Sequence, residues 1–239
     1  MCFFYDFTFL FVINDTFNLL KQNDSIKIYG ISGLGADKRV FDFLELNYEF
    51  TALDWIAYKP KETIKVYAER LIETYQLATK PNVVIVGVSF GGMIASEMHK
   101  LLNTKKTFVI SSATKSDELP FLYALAGKLH LIRWIPNILL KPNVHILAFL
   151  FGTKKKKLLK DIINDTDLDF LKWGIYAITK WKKTTSNSEI ITIHGTKDKI
   201  IPVKGQKKYL LKNGGHFMIV DRSAEVSSIL NREIEEIRK

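Results

Sequence analysis

Residues 82–88 read Asn-Val-Val-Ile-Val-Gly-Val, an unbroken apolar run opened by Pro81, and the chain then passes through Ser-Phe-Gly-Gly into a segment with helical periodicity. A strand with no polar alternation has no face to offer water, so it must be covered on both sides. In a chain of 239 residues, helices packed on both faces of a parallel sheet meet that requirement. This stretch is what a central strand buried on both faces looks like, and the alternation of strand and helix segments around it points to the α/β class.

The neighbouring sequence repeats the alternation. Strands are expected over 26–29, 50–53 and 107–110. Asp37 reads as an N-cap ahead of a short helix over 39–46, with Val40, Phe43 and Leu44 on one face. A longer amphipathic helix is expected over 62–77, where Ile64, Tyr67, Ala68, Leu71 and Tyr75 recur at three-to-four spacing. Another should run over 90–102. From Asp117 to Lys183 the alternation stops. Helix-period apolar positions there are broken by Pro120, Pro136, Pro142 and Gly152, and aromatics are frequent. Strand character returns over 189–194 and 207–211, and a helix over 223–238 closes the chain. The expected organisation is a mostly parallel sheet flanked by helices, built from 25–116 and 184–239, with 117–183 as an inserted helical cap. Residues 1–24 are read as an N-terminal extension of uncertain role, in which the aromatic run from Cys2 to Ile13 is expected as an extra edge strand, with an exposed membrane-touching segment as the alternative. The aromatic stretch ends near Ile13, short of the roughly 18 residues that span a bilayer, and it lacks a basic flank.

Composition narrows the partners. With 47% hydrophobic residues, 13 Gly and 6 Pro, the chain can bury a core and is not of low complexity. One cysteine, Cys2, cannot close an intramolecular disulfide, which points to a reducing compartment, the cytoplasm. The net charge of +10 comes mostly from scattered lysines, with runs at 154–157, 182–183 and 207–208. Few arginines stand near aromatics, so these lysines read as solvated rather than as a nucleic-acid surface, and no stable membrane insertion is expected.

Gly87-Val88-Ser89-Phe90-Gly91 is a G-x-S-x-G sequence between the best strand and a good helix. A sharp strand-to-helix turn lifts its serine above the sheet edge, and the glycines remove Cβ atoms where the chain crowds. Serine needs a base, and the base needs an orienting acid. Both occur downstream in loops that follow strands: Asp198 in His194-Gly195-Thr196-Lys197-Asp198, and His216 in Asn213-Gly214-Gly215-His216-Phe217. The order Ser89, Asp198, His216 fits one arrangement of the acyl-transfer triad. Asp117 is the alternative acid. His99, His130, His145 and His194 read as structural, and no Cys, His or carboxylate spacing suggests a metal site.

In these motifs, together with Ile201-Pro202, the sequence resembles the α/β-hydrolase superfamily, and more closely its small cap-bearing, cofactor-free serine hydrolases of bacterial type. The resemblance covers about nine-tenths of the chain, from Ile26 to Arg238. It implies a serine esterase acting on a small acyl compound without a cofactor, with oxyanion-hole amides at Leu34 and Phe90. Ser32 stands where a histidine is usual before the oxyanion loop. A second departure is the short run after Asp198, which leaves room for a turn rather than a crossover helix. Cap aromatics, Trp134 and Trp173 among them, are candidates for the acyl pocket. A lyase, an acyltransferase or a perhydrolase with the same triad, and a binding protein on the same fold, remain alternatives. A nicotinamide-dependent oxidoreductase is a further one, since Gly33-Leu34-Gly35 and Asp54 partly fit a dinucleotide fingerprint, although Lys38 holds the third glycine position. Oligomeric state is not encoded in these features.

Overall fold

The computed structural model describes residues 25–102, 104–121, 143–182 and 189–237. Six strands run parallel in one sheet: β1 (Lys27–Ile31), β2 (Glu49–Leu53), β3 (Val83–Val88), β4 (Lys106–Ile110), β5 (Ile190–Gly195) and β6 (Tyr209–Leu211), in the order β2-β1-β3-β4-β5-β6. The apolar run before Ser89 is β3, near the middle of the sheet and buried at every position. Its side chains alternate between two cores. Val83 and Ile85 join one with Tyr29 and Ile31, while Val84, Val86 and Val88 join the other with Ile28 and Phe108.

The first core is closed by α1 (Ile64–Thr74) and α2 (Phe90–Leu101), the second by α6 (Met218–Asp221) and α7 (Ser223–Glu235). Helix α1 starts where Thr63 accepts a hydrogen bond from the Val66 amide and buries Ile64, Tyr67, Ala68 and Leu71. Between β4 and β5 the described helices are α3 (Val144–Phe151), α4 (Lys156–Asp165) and α5 (Leu168–Lys180). Asp167 caps α5 through the Asp169 and Phe170 amides. Among the described residues no helix is long and apolar enough to cross a membrane.

Three expectations need correction. Asp37 does cap, but the helix it opens is a single 3-10 turn, Lys38–Phe41, which buries Val40 and Phe41 rather than a face with Phe43 and Leu44. The segment is too short and too tightly tied to Asp37 to develop an α-helical stripe. Lys207 is not solvated: its ammonium lies 2.9 Å from Glu118 with only 1% of the side chain exposed. Lys208 pairs with Glu233 at 2.7 Å, and the strand begins one residue later, at Tyr209. Lys154 to Lys157 are exposed, as expected. No helix lies between β5 and β6, although the two strands pair in parallel, so an irregular loop makes that crossover. Residues 1–24, His130 and Trp134 lie outside the described residues.

Candidate active site

Ser89 sits between β3 and α2 with φ 52° and ψ −119°, a backbone region that costs a non-glycine residue free energy. Its neighbours hold it there. The Ser89 amide donates to the Ile110 carbonyl at 2.9 Å, and Ser112 Oγ donates to the Ser89 carbonyl at 2.5 Å. The flanking glycines are demanded by close approach. A Cβ on Gly87 would run into the backbone of Gly91, and a Cβ on Gly91 into the carbonyl oxygens of Ile31 and Ser32. The turn can therefore form only where those side chains are missing.

Two loops bring the other groups to the same rim. His216, 4% exposed, lies with Nε2 2.9 Å from Ser89 Oγ and Nδ1 2.8 Å from Asp198 Oδ2. Asp198 is itself buried at the end of the β5 loop. Its Oδ1 accepts from the Ile200 and Ile201 amides, both at 2.9 Å. Burial pushes this carboxyl up, but hydrogen bonds from His194 and His216 and from the Ile201 amide outweigh it, and the group is held well below the usual carboxylate range. An ionised Asp198 can only accept from His216 Nδ1, and in the neutral imidazole that leaves Nε2 to accept from the Ser89 hydroxyl. The alternative acid, Asp117, is largely exposed and pairs with Lys115 at 3.2 Å.

The two residues whose amides are expected to serve an oxyanion, Leu34 and Phe90, both border the cavity at Ser89. Phe90 is the first residue of α2, so its amide has no preceding helical turn to bond to. Leu34 lies in the loop after β1, where a Cβ on the preceding Gly33 would come within 3.4 Å of Ser89 Cβ. A cavity of about 160 Å³ extends from this point. It is lined by Leu34, Ser89, Phe90 and His216, with Met93, Ile175, Ile178, Ile200 and Ile201 making it apolar. Phe151 meets His216 edge-on with ring centroids 5.3 Å apart, and its carbonyl accepts from the Phe217 amide at 3.0 Å, so the end of α3 is fastened to the histidine loop.

Trp173 is not among the residues that line this cavity. It lies buried at 5% exposure in an aromatic cluster, stacked on Tyr58 at 5.5 Å and close to Tyr67 and Phe170. Its indole N–H donates to the Glu62 carbonyl at 3.3 Å. The wide apolar face of a tryptophan fits a core as well as a pocket, and here α5 turns it toward α1. The glycine-rich loop after β1 leads into a 3-10 turn of four residues, Lys38–Phe41, so the long helix N-terminus that receives a dinucleotide pyrophosphate is missing from that position. Among the described residues no group of three or more His, Cys, Asp or Glu could hold a metal ion.

Sequence reasoning missed the approach of His194 to Asp198, because a histidine at a strand end carries no sign of which loop will fold back over it. It also missed Thr166, which meets the loop after β1 across 131 residues of chain.

A thermophilic esterase from Thermogutta terrifontis superposes with a TM-score of 0.67 at 12% identity, covering 90% of this chain and 91% of that one. The chain has the α/β-hydrolase fold. An esterase from Exiguobacterium antarcticum gives 0.61 at 15% identity, over 88% and 92% of the two chains. The N-acyl homoserine lactonase AidH, solved with N-butanoyl homoserine, gives 0.64 at 16% identity over 90% of each. No protein-family model matches the chain. No curated protein matches it either. The α/β-hydrolase fold accounts for the sheet order and for the position of Ser89 at the head of α2, and it leaves the chemistry to be argued from the site.

Proposed function

We propose that the protein is a serine hydrolase of small carboxylic esters or related acyl compounds, acting through Ser89, His216 and Asp198. The observation that carries this reading is the continuous relay from Asp198 Oδ2 through His216 to Ser89 Oγ, with contacts of 2.8 and 2.9 Å. The two solved esterases and the lactonase of the same fold favour acyl chemistry.

His216 takes the Ser89 proton as Oγ attacks the carbonyl carbon, and the carbonyl π electrons move onto oxygen. The Leu34 and Phe90 amides receive that oxyanion, each such donor contributing on the order of 3 kcal/mol to the transition state. As the intermediate collapses, the C–O bond to the alcohol breaks and His216 Nε2–H protonates the departing oxygen. Water then attacks the acyl-enzyme with His216 again as base, which releases the acid and restores Ser89. No cofactor enters either half-reaction. Within the inserted segment, the described residues 143–182 act as a cap at the rim, since Phe151 on α3 and Ile175 and Ile178 on α5 form part of the cavity wall.

A fluorophosphonate probe should label Ser89, and Ser89→Ala should abolish turnover of p-nitrophenyl acetate and butyrate. Folded wild-type protein that stays unlabelled would remove the nucleophile assignment.

A further inference from the structure

The loop that carries Leu34 is gripped by the helical segment at positions that do not line the substrate cavity. Thr166 lies in the two-residue turn between α4 and α5. Its Oγ1 is 2.8 Å from the Gly35 carbonyl oxygen and 2.9 Å from that of Ile162. Both acceptors are carbonyls, so the hydroxyl donates and its single hydrogen is shared between them. Gly35 has φ 73°, in the left-handed region, and a Cβ there would press on the Thr166 methyl at 3.2 Å. The Leu34 side chain fills the space above Gly174 of α5, where a Cβ would strike it. Arg39, bound to Asp37 by its guanidinium, reaches Asp165 at the end of α4 at 2.8 Å. Within the core, Ser32 Oγ and Trp55 Nε1 donate to the Ala36 carbonyl at 3.0 and 2.9 Å.

These contacts matter because an oxyanion donor works only when it is aimed before the charge develops, and a misplacement of about 1 Å can cost on the order of a hundredfold. The Gly35 carbonyl is separated from the Leu34 amide by the two residues' own backbone alone. Two residues' φ and ψ lie between that oxygen and the Leu34 N–H, so holding it, with Gly35 left-handed at φ 73° and the Leu34 side chain seated against Gly174, restrains how far the Leu34 peptide can turn. We propose that Thr166 is a positioning residue, whose hydroxyl holds the Gly35 carbonyl so that the Leu34 N–H stays aimed at the oxyanion. The proposal rests on the hydrolase reading above and adds to it that the oxyanion hole is completed from the segment between β4 and β5.

Thr166→Val removes the hydroxyl at nearly constant shape, and Thr166→Ser keeps it. With p-nitrophenyl butyrate, Thr166→Val should lower kcat about ten- to a hundredfold while KM stays within about twofold. A trifluoromethyl ketone, whose serine adduct carries the same oxyanion, should lose affinity by the same factor. Thr166→Ser should remain within about threefold of wild type in both. A Thr166→Val enzyme with wild-type kcat, a loss confined to KM, or equal impairment of the Ser and Val variants overturns the proposal. So does a lowered melting temperature with kcat unchanged, which would make Thr166 a helix cap and nothing more. Should Thr166→Val fail to fold, Thr166→Ala removes the same donor and is compared with Thr166→Ser in the same way. Failure of the hydrolase reading looks different: wild-type Ser89 is then unlabelled by fluorophosphonate and wild-type protein has no turnover, which removes the proposal with it.

Discussion

His194 Nε2 approaches Asp198 Oδ2 at 3.4 Å, and that same oxygen accepts from His216 Nδ1 at 2.8 Å. The stronger bond from His194 Nε2 goes to the Ile201 carbonyl at 2.7 Å, so this nitrogen carries a proton and the acid loop is closed around its own strand. Asp198 is thus ringed by donors, two of them backbone amides.

Removing that ring at one point should cost stability before chemistry. His194→Phe leaves the Ile201 carbonyl buried without its donor, at a cost of about 1–3 kcal/mol. Chemical denaturation should register that loss. Ester turnover should survive at a reduced rate, because His216 keeps its own bond to Asp198. Asp198→Asn should behave in the opposite way, with folding retained and kcat lowered by about 10⁴-fold through the wrong imidazole tautomer. Equal turnover in Asp198→Asn and wild type would remove Asp198 from the relay.

A second carboxylate sets acid stability far from the site. Burial pushes Glu233 up, but Lys106, Lys208 and Tyr209 more than offset it and bring its pKa to about 2. The pKa in the folded state is lower than in the unfolded chain, so the group stabilises the fold above its unfolded value and loses that contribution as pH falls toward 2. The size is on the order of 2 kcal/mol, reduced for the half-exposed Lys208 partner. Urea denaturation between about pH 5 and pH 3 should show this loss in wild type and a shallower slope in Glu233→Gln. Parallel slopes would show that Glu233 is not the titrating group.

The glycine at the turn after Ser89 offers a sharper structural test. Gly91→Ala places a methyl group against two backbone oxygens of the β1 end, and backbone cannot rotate away as a side chain can. Overpacking of this kind costs about 1–3 kcal/mol or more. A variant with wild-type melting temperature and activity would show that the turn has more room than the present geometry allows.

Much of this was legible in the sequence, for reasons that differ by element. The β3 run could be read because burial on both faces leaves only apolar residues, and its observed start differs from the expected one by a single position. The three groups of the relay could be read because each sits in a glycine-bearing turn at the end of a strand, where local chemistry dictates both position and exposure. Trp173 could not be placed, since helical spacing tells which face is apolar and not whether that face meets a core or a cavity. Lys207 failed for a related reason: its partner Glu118 is 89 residues away, and no local pattern announces a buried ion pair. The Thr166 contact depends on how the helices between β4 and β5 settle on the sheet, which is decided by packing across the whole chain.

The cavity makes a last prediction about substrate length. Its volume of about 160 Å³ is close to that of an engineered protein cavity that holds a benzene ring, so an acyl group of about six heavy atoms fills it. Acetyl and butyryl esters should therefore be turned over well and lauryl esters poorly. Ile175 is a half-buried part of the wall, so shortening it enlarges the space with less disturbance than a change at a core position. Each methylene accommodated is worth roughly 1 kcal/mol, so Ile175→Ala should shift the octanoate-to-acetate ratio of kcat/KM upward by about tenfold. Steady-state kinetics on a p-nitrophenyl ester series measures that ratio directly. An unchanged ratio in a folded Ile175→Ala enzyme would mean that the acyl chain leaves the site by another route.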